Sequence, residues 1–217
     1  LGILAASTQL RTDFFEDFII MGELSLDGSI QRVRGVLPMA LNAKKEGYKG
    51  ILVPLENARE AAVVEGIDVF GVKNLKEAYR FLSGQLQLEP VKINIREEFL
   101  KNMEHYDLDF ADVKGQETVK RALTIAACGS HNAIMVGPPG AGKTMLAKRL
   151  GTIIPPLTLD EALETTKIHS VAGRMQGNAG LITARPYRAP HHTISDIALV
   201  GGGNSPQPGE ISLAHNG

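Results

Sequence analysis

Residues 132–150 of the sequence run Asn-Ala-Ile-Met-Val-Gly-Pro-Pro-Gly-Ala-Gly-Lys-Thr-Met-Leu-Ala-Lys-Arg-Leu. The middle of this stretch, Gly137–Thr144, matches the phosphate-binding loop (P-loop) pattern: Gly, four residues, Gly-Lys, then Ser or Thr. The apolar Asn132–Val136 before it predicts a short buried strand, and Gly142–Leu150 after it predicts a helix. A strand, a glycine-rich turn and a helix N-terminus in this order predict a nucleotide-binding α/β domain.

Each position of this loop has an expected chemical role. The glycines let backbone N–H groups surround phosphate oxygens, and the positive end of the following helix points at the same phosphates. Lys143 is expected to reach the β- and γ-phosphates of ATP, and the Thr144 hydroxyl to ligate the accompanying Mg²⁺. The alternative is a glycine-rich turn with an exposed lysine. The predicted nucleotide-binding residues are Gly137, Pro138, Pro139, Gly140, Ala141, Gly142, Lys143, Thr144 and Met145, with Lys143 and Thr144 as the catalytic pair.

Composition excludes several classes of protein. The 217 residues are 43 % hydrophobic and 22 % charged, which is typical of a globular chain and not of a disordered one. The formal net charge of -1 gives no global basic excess for nucleic acid. Cys128 is the only cysteine, which excludes an intrachain disulfide and fits a cytoplasmic protein. No apolar run approaches the roughly 20 residues that span a bilayer, so no membrane association is expected. The chain begins with Leu1, and we expect it to be a fragment of a longer protein.

Short strands and helices alternate before the P-loop, which predicts an α/β fold with short connections. The predicted strands are Phe18–Ser25 and Ser29–Val33, joined at Asp27-Gly28, then Gly50–Pro54 and Asp68–Val72. The predicted helices are Leu1–Leu10, as a helix end, then Val36–Glu46, Asn57–Glu65 and Leu75–Leu82. Gln85–Arg96 lacks a helical period and predicts a connector. Further helices are predicted at Gly115–Gly129 and Leu159–His169, the second with Thr158 as its N-cap, and only short ordered pieces are expected after Val171.

Motifs on both sides of the P-loop resemble one family. The stretches Asp112–Gln116, Lys120–Leu123, His131-Asn132, Arg185–Thr193, Gly201–Gly203 and Pro208–His215 resemble magnesium-chelatase-like AAA+ proteins. Gly22–Gly28 and Arg34–Pro38 extend the resemblance to the YifB/ComM family, in which a Lon-protease-like domain precedes the AAA+ module. Essentially the whole chain is covered.

The resemblance implies an α/β fold with two domains. A Lon-protease-like domain (ribosomal S5 domain 2-like) lacking its N-terminal part is expected at residues 1–86 and a connector at 87–110. The first portion of a P-loop AAA+ domain, ending before Walker B, is expected at 111–217. In Lon-type proteases a lysine occupies the place of Leu37, and leucine cannot act as the base, so no protease activity is expected. Because the Walker B acid, arginine finger and lid are missing, the chain is expected to bind ATP at most and not to hydrolyse it.

The function that the resemblance implies is an ATP-dependent ring, a homo-hexamer when complete, that remodels single-stranded or branched DNA. ComM members are implicated in natural transformation as branch-migration helicases. One alternative is a magnesium chelatase motor subunit, although such a subunit normally starts at the AAA+ module. Another alternative is a non-catalytic interaction module in which the P-loop senses nucleotide.

The sequence leaves the roles of several further residues open. Val113 is predicted either to contact adenine, as its place in the family suggests, or to pack in the core. Arg185 and Arg188 are predicted to contact DNA or a neighbouring subunit, or to lie in a solvated or internally paired loop. His191 and His192 are predicted to share this possible DNA or subunit contact, in a structural or phosphate-facing role, since adjacent histidines without a Cys, Asp or Glu cluster make a poor metal site.

Overall fold

The computed structural model describes residues 1–102, 108–175, 180–204 and 206–217. The chain forms two compact units. The first unit is Leu1–Glu98 with Thr166–Ile182, and the second is Phe99–Thr165 with Thr183–Gly217. The domain boundaries at 1–86, 87–110 and 111–217 stay predictions, and residues 103–107 of the predicted connector lie outside the described residues. Nothing in the sequence pattern indicated that residues 166–182 pack with the first unit.

The first unit is built on a parallel sheet. In chain order its elements are α1 (Gly2–Ala6), α2 (Phe14–Asp17), β1 (Phe18–Ile20), β2 (Glu23–Leu24), β3 (Ile30–Gln31), α3 (Val36–Lys45), β4 (Gly50–Pro54), α4 (Leu55–Ala61), β5 (Asp68–Val72), α5 (Leu75–Leu82) and α6 (Ile95–Asn102, which ends in the range of the second unit). Strand β4 lies at the centre of the sheet, parallel to β1 on one side and to β5 on the other. All five residues of β4 are buried, as expected for a strand covered on both faces.

An aromatic cluster packs against this sheet. Leu52 and Phe70 pack with Phe81, and the ring centroids of Phe70 and Phe81 are 4.8 Å apart. Gly50 is required at the start of β4, because a Cβ there would lie 2.3 Å from the ring of Phe18 on the neighbouring strand. The sheet and its core therefore depend on close contacts between segments that are distant in sequence.

Most sequence predictions in the first unit are confirmed. Gly50–Pro54, Asp68–Val72 and Leu75–Leu82 have the predicted bounds. The hairpin is also confirmed, with Gly28 at φ +85°. The single strand predicted over Phe18–Ser25 is wrong: β1 joins the parallel sheet and β2 pairs with β3. The chain bends between them at Gly22, where a Cβ would lie 2.6 Å from the Ile30 side chain.

Two helix predictions in the first unit need correction. The predicted helix Leu1–Leu10 is reduced to α1, which covers only Gly2–Ala6. Helix α6 lies inside the predicted connector and was missed. Its N-terminus is capped by Asn94, whose Oδ1 accepts a hydrogen bond from the Glu97 amide at 3.3 Å. An Asn followed three residues later by Glu is an N-terminal signal that the sequence carried.

The second unit is mainly helical. Its elements are a 3₁₀ helix at Phe110–Asp112, α7 (Glu117–Cys128), α8 (Lys143–Arg149), a 3₁₀ helix at Leu150–Thr152, α9 (Leu159–Val171, which ends in the range of the first unit), α10 (Asp196–Val200), β6 (Gly201–Gly202), β7 (Gln207–Pro208) and α11 (Glu210–Leu213). The core contains Phe110, Val113, Leu123 and Leu146. Thr158 caps α9 as predicted, since its hydroxyl accepts from the Glu161 amide at 3.2 Å and the Glu161 carboxylate accepts from the Thr158 amide at 2.7 Å.

The predicted buried strand Asn132–Val136 is wrong. Residues 131–138 have no regular secondary structure, and the side chains of Ile134 and Val136 are each 90 % exposed. A strand needs a hydrogen-bonding neighbour, and none of the strands described in the second unit pairs with this segment. The apolar sequence of this segment is typical of a strand, but none of the described strands of the second unit pairs with it to form a sheet.

Candidate nucleotide-binding site

The P-loop has the backbone geometry that its sequence predicts. Gly140 and Gly142 both have φ +79°, a left-handed conformation that residues with a Cβ rarely adopt. Helix α8 begins immediately afterwards at Lys143, and its first intrahelical bond runs from the Leu146 amide to the Gly142 carbonyl. The amides of Lys143 and Thr144 thus precede the helical ladder and lie at the positive end of α8.

Lys143 is folded against the loop that precedes it. Its Nζ donates to the carbonyl oxygens of Gly137 and Pro138, each at 2.7 Å. Gln116 contacts the same loop through its side-chain amide, which donates to the Ala141 carbonyl at 3.4 Å. The ammonium group is therefore held at the mouth of the loop, within a side-chain rotation of any anion seated there.

The residues of the loop fit a magnesium–nucleoside triphosphate. A Cβ built on Gly140 would have nothing within 4 Å, and one built on Gly137 would meet only the Ala141 methyl at 3.8 Å, so the loop is open. An ammonium group, amides at a helix N-terminus and an exposed threonine hydroxyl are the groups that bind phosphate oxygens and Mg²⁺. Lys143 would hold the phosphates, and Thr144 would hold the metal.

An apolar pocket of about 380 Å³ adjoins the loop. The pocket is lined by residues of α7, of the segment 133–136 and of the P-loop, among them Val119, Ile134, Val136 and Lys143. Val113 is not part of this lining; it is 2 % exposed and packs with Phe110, Leu123 and Leu146. The structure thus places Val113 in the core, which is the second of its two predicted roles. The His131 amide donates to the Ala126 carbonyl at the end of α7, so this residue contributes to ending a helix.

The two predicted contact arginines are both bonded within the second unit. Arg185 donates to the carbonyl oxygens of Pro155 at 2.5 Å and Asn216 at 2.7 Å, and its side chain is 12 % exposed. Arg188 forms a two-pronged ion pair with Glu210, both bonds at 2.5 Å. These hydrogen bonds raise the pKa of the Arg188 guanidinium above its ordinary value, against the opposing effect of burial.

The two predicted histidines lie together on the surface. The rings of His191 and His192 have centroids 4.2 Å apart, and both residues are exposed. His191 Nδ1 lies 2.7 Å from the hydroxyl of Thr193. The structure therefore brings the histidines together beside Arg188, in a depression of about 490 Å³ that His191 and Arg188 help to line. Lys143 of the P-loop and His191 line different pockets.

Comparison with known proteins identifies the family. A family model described as magnesium chelatase, subunit ChlI, matches residues 109–217, which is half of the chain. A second model, described as subunit ChlI of Mg-chelatase, matches residues 1–57. The chain is 42 % identical over 217 residues to competence protein ComM of Haemophilus influenzae and 40 % identical over 221 residues to the uncharacterized protein YifB of Escherichia coli. The chain belongs to the YifB/ComM family of magnesium-chelatase-like AAA+ proteins.

The similarity covers 100 % of this chain and 42 % of both ComM and YifB. An uncharacterized protein of Mycobacterium tuberculosis is 44 % identical over 216 residues, with 99 % of this chain and 42 % of that protein covered. The chain thus spans about 42 % of the length of the curated relatives it matches.

A shorter similarity links this YifB/ComM family member to Lon proteases. The archaeal Lon protease of Methanocaldococcus jannaschii is 36 % identical over 62 residues, which cover 29 % of this chain and 10 % of that protein. This supports a Lon-like AAA+ relationship, and the mixed α/β fold with a parallel sheet is confirmed.

Sequence reasoning missed two residues that organise the second unit. Gln116, at φ +56°, bonds the P-loop from the start of α7. Asn216, at φ +61°, donates from its side chain to the Glu161 carbonyl and the Thr165 hydroxyl, each at 3.3 Å. The Asn216-Gly217 pair is a turn signal that could have indicated the positive φ, but only the fold supplies the bonding partners.

The described residues contain no metal cluster and no helix able to span a membrane. Within those residues, no group of three or more His, Cys, Asp and Glu side chains is arranged to hold a metal ion. None of the helices in the described ranges has both the length and the apolar character needed to cross a membrane.

Proposed function

We propose that this chain is the nucleotide-binding part of an ATP-dependent AAA+ motor. The single observation that carries the proposal is the geometry of the open P-loop. Gly140 and Gly142 are left-handed, α8 follows directly, and the Lys143 ammonium lies against the loop, bonded to the Gly137 carbonyl. This arrangement is the one required to bind a polyphosphate through backbone amides and a lysine.

The residues have distinct roles in this proposal. The loop Gly137–Gly142 orients the phosphates, and Lys143 leaves the carbonyls of Gly137 and Pro138 to pair with the β- and γ-phosphates. Thr144 holds Mg²⁺, which would neutralise charge on the phosphates. By itself the 217-residue chain binds ATP without turnover, since the segment 131–138 beside the loop lies outside any described sheet that could present a Walker B acid.

We further propose DNA, single-stranded or branched, as the substrate of the whole protein. Support comes from the 42 % identity to a protein named competence protein ComM. The further proposal that the whole protein is a homo-hexameric, cytoplasmic branch-migration helicase rests on the family resemblance. Among the predicted contacts, His191 and His192 are the exposed candidates, because Arg185 and Arg188 are already paired internally. The ion pair of Arg188 would have to open before that residue could contact a phosphate.

A magnesium chelatase motor is the second candidate. Both matching family models carry the magnesium chelatase description, which favours it. The similarity of the chain to an archaeal Lon protease favours the DNA-directed reading, since the chelatase motor normally starts at its AAA+ module. A nucleotide-sensing module without catalysis would instead keep its partner after loss of Lys143.

The test uses the full-length protein, purified as wild type and as Lys143→Ala. We expect ATP hydrolysis by the wild type alone, and binding to branched DNA that weakens steeply as salt rises. Indifference to DNA together with Lys143-dependent hydrolysis would contradict the DNA proposal while leaving the motor intact. A Lys143-dependent ATPase rate in the 217-residue chain would contradict the proposal that this part does not turn over.

A further inference from the structure

The loop 185–194 of the second unit is held at two points by its arginines. Arg185 donates to two backbone carbonyl oxygens, at 2.5 and 2.7 Å, and its side chain is 12 % exposed. Arg188 pairs through two hydrogen bonds with Glu210, the first residue of α11. Both cations are thus turned toward acceptors of the protein itself, and neither is available to the phosphates of a nucleic acid while these bonds hold.

The same loop presents three aromatic rings to solvent. Tyr187, which lies between the two arginines in the sequence, is 44 % exposed, and His191 and His192 are exposed with ring centroids 4.2 Å apart. The Thr193 amide donates to Nδ1 of His191 at 3.3 Å, and the Thr193 hydroxyl lies 2.7 Å from the same atom. An amide can only donate, so Nδ1 is an acceptor and the imidazole of His191 is held in one orientation.

Two of these rings line the depression of about 490 Å³ in the surface of the second unit. Tyr187 and His191 share its wall with the Arg188–Glu210 ion pair and with apolar residues. In the described lining, the one arginine and the one carboxylate pair with each other, so their formal charges cancel. A phosphate is bound by unpaired cations or N–H donors, whereas the flat face of a base packs on an exposed aromatic ring. The lining therefore has the chemistry of a base site and not of a phosphate site.

We propose that this depression is a base-stacking site for single-stranded DNA, in which the rings of Tyr187 and His191 pack against the faces of unpaired bases. This role rests on the proposed action of the whole protein on DNA and narrows it to one contact. Stacking tolerates any sequence, because every base has such a face. In a duplex the faces are covered by neighbouring bases, so the site selects unpaired strands. Arg188 and Glu210 are positioning residues, since their ion pair fixes the loop that carries both rings.

The test uses the full-length protein and two single strands of equal length: oligothymidylate, and an abasic strand with the same sugar–phosphate backbone. Fluorescence anisotropy gives the two dissociation constants for the wild type, Tyr187→Ala and His191→Ala. Each alanine variant is expected to weaken binding of oligothymidylate on the order of tenfold and to leave binding of the abasic strand unchanged. Tyr187→Phe is the matched control, because it keeps the ring and removes only the hydroxyl, and it should bind both strands as the wild type does.

A second measurement needs no variant and so does not depend on the folding of one. Iododeoxyuridine placed in the strand cross-links under ultraviolet light to an aromatic side chain that stacks on it, and in the wild type the cross-link should fall on Tyr187 or His191. Because both side chains are exposed, we also expect the alanine variants to keep the circular dichroism spectrum of the wild type.

The outcomes separate this site from the wider DNA proposal. A wild type that binds neither strand would overturn both. Wild-type binding with the same ratio of dissociation constants in both alanine variants would overturn the site alone, as would cross-links confined to other residues or equal losses in Tyr187→Ala and Tyr187→Phe. An unchanged ratio together with loss of the hexamer would overturn it as well and assign the rings to a contact with a neighbouring subunit.

Discussion

Two apolar pentapeptides of similar character have opposite fates in this chain. Gly50–Pro54, with the sequence Gly-Ile-Leu-Val-Pro, is buried at all five positions in the first unit. Asn132–Val136, with the sequence Asn-Ala-Ile-Met-Val, has no regular structure in the second unit, and two of its side chains are 90 % exposed. Local composition therefore does not decide whether an apolar run becomes a buried strand.

The two pentapeptides differ in whether neighbouring strands pair with them. β4 has a parallel partner on each side, and helices that pack against its residues. No strand of the described second unit pairs with residues 131–138. The P-loop nevertheless has its expected shape, because that shape comes from its own glycines and from α8. Loop geometry is thus specified locally, whereas strand burial is specified by the rest of a sheet.

The largest predicted effect is a difference in the free energy of unfolding between two alanine variants, one from each pentapeptide. Leu52→Ala removes a side chain that is 1 % exposed and should lower the free energy of unfolding of the first unit by about 3 kcal/mol. Ile134→Ala changes a side chain that is 90 % exposed and should change stability by less than about 0.5 kcal/mol. Urea unfolding followed by circular dichroism, with hydrogen exchange to assign each unit, makes the comparison. Equal losses would mean that the second pentapeptide is buried in solution.

A smaller difference in stability is predicted between alanine variants of two glycines, one in each unit. Gly50→Ala would bring a methyl group to 2.3 Å from the Phe18 ring and should cost about 1–3 kcal/mol through displaced packing. Gly137→Ala meets only the Ala141 methyl, at 3.8 Å, and should leave the stability of the second unit within about 0.5 kcal/mol of the parent. Thermal unfolding of both variants checks this. A tolerated Gly50→Ala would show that β1 and β4 are packed less closely than described.

The smallest predicted effect is a pH dependence shared by the two units. Hydrogen bonds from the Ser29 side chain and amide lower the pKa of Asp27 below 3.8, and the Thr158 amide lowers the pKa of Glu161 below 4.5. Each group therefore adds stability that is present above its unfolded pKa and is lost as the pH falls through the lower folded value. Asp27 is exposed and the Glu161 side chain is 35 % exposed, so the losses should be slight.

Titration of the carboxyl chemical shifts measures both pKa values directly. Removing the donor provides the matched control: in Ser29→Ala the pKa of Asp27 should rise toward its ordinary value, while that of Glu161 should not move. An Asp27 pKa at its ordinary value in the parent chain would contradict the described turn.

What the sequence could predict follows the same division between local and distant causes. Gly50–Pro54, Asp68–Val72 and Leu75–Leu82 have the predicted bounds, and Thr158 caps α9, because turn residues and capping pairs act within a few residues. The split of Phe18–Ser25 into two sheets depends on Gly22 approaching Ile30. Whether Asn132–Val136 forms a buried strand depends on neighbouring strands from other parts of a sheet. Neither could be deduced from the local pattern.

The candidate site shows the same limit. The P-loop residues followed from a motif whose spacing has a physical reason, and its loop and helix have that geometry. Internal pairing of Arg185 was one of two predicted alternatives, but its partners Pro155 and Asn216 could not be predicted, since they are 30 and 31 residues away. Gln116 was missed for the same reason, since the Ala141 carbonyl that it bonds is 25 residues away.

The proposed function requires that Gly137–Thr144 bind a magnesium–nucleotide. The most direct measurement is isothermal calorimetry of Mg²⁺–ATP with the 217-residue chain and with Lys143→Ala, using Lys148→Ala on the exposed part of α8 as the matched control. We expect binding by the parent and by Lys148→Ala, and loss of binding in Lys143→Ala. Equal affinity in the parent and Lys143→Ala would contradict it, as would the absence of binding by a parent chain whose α8 amides are protected from exchange.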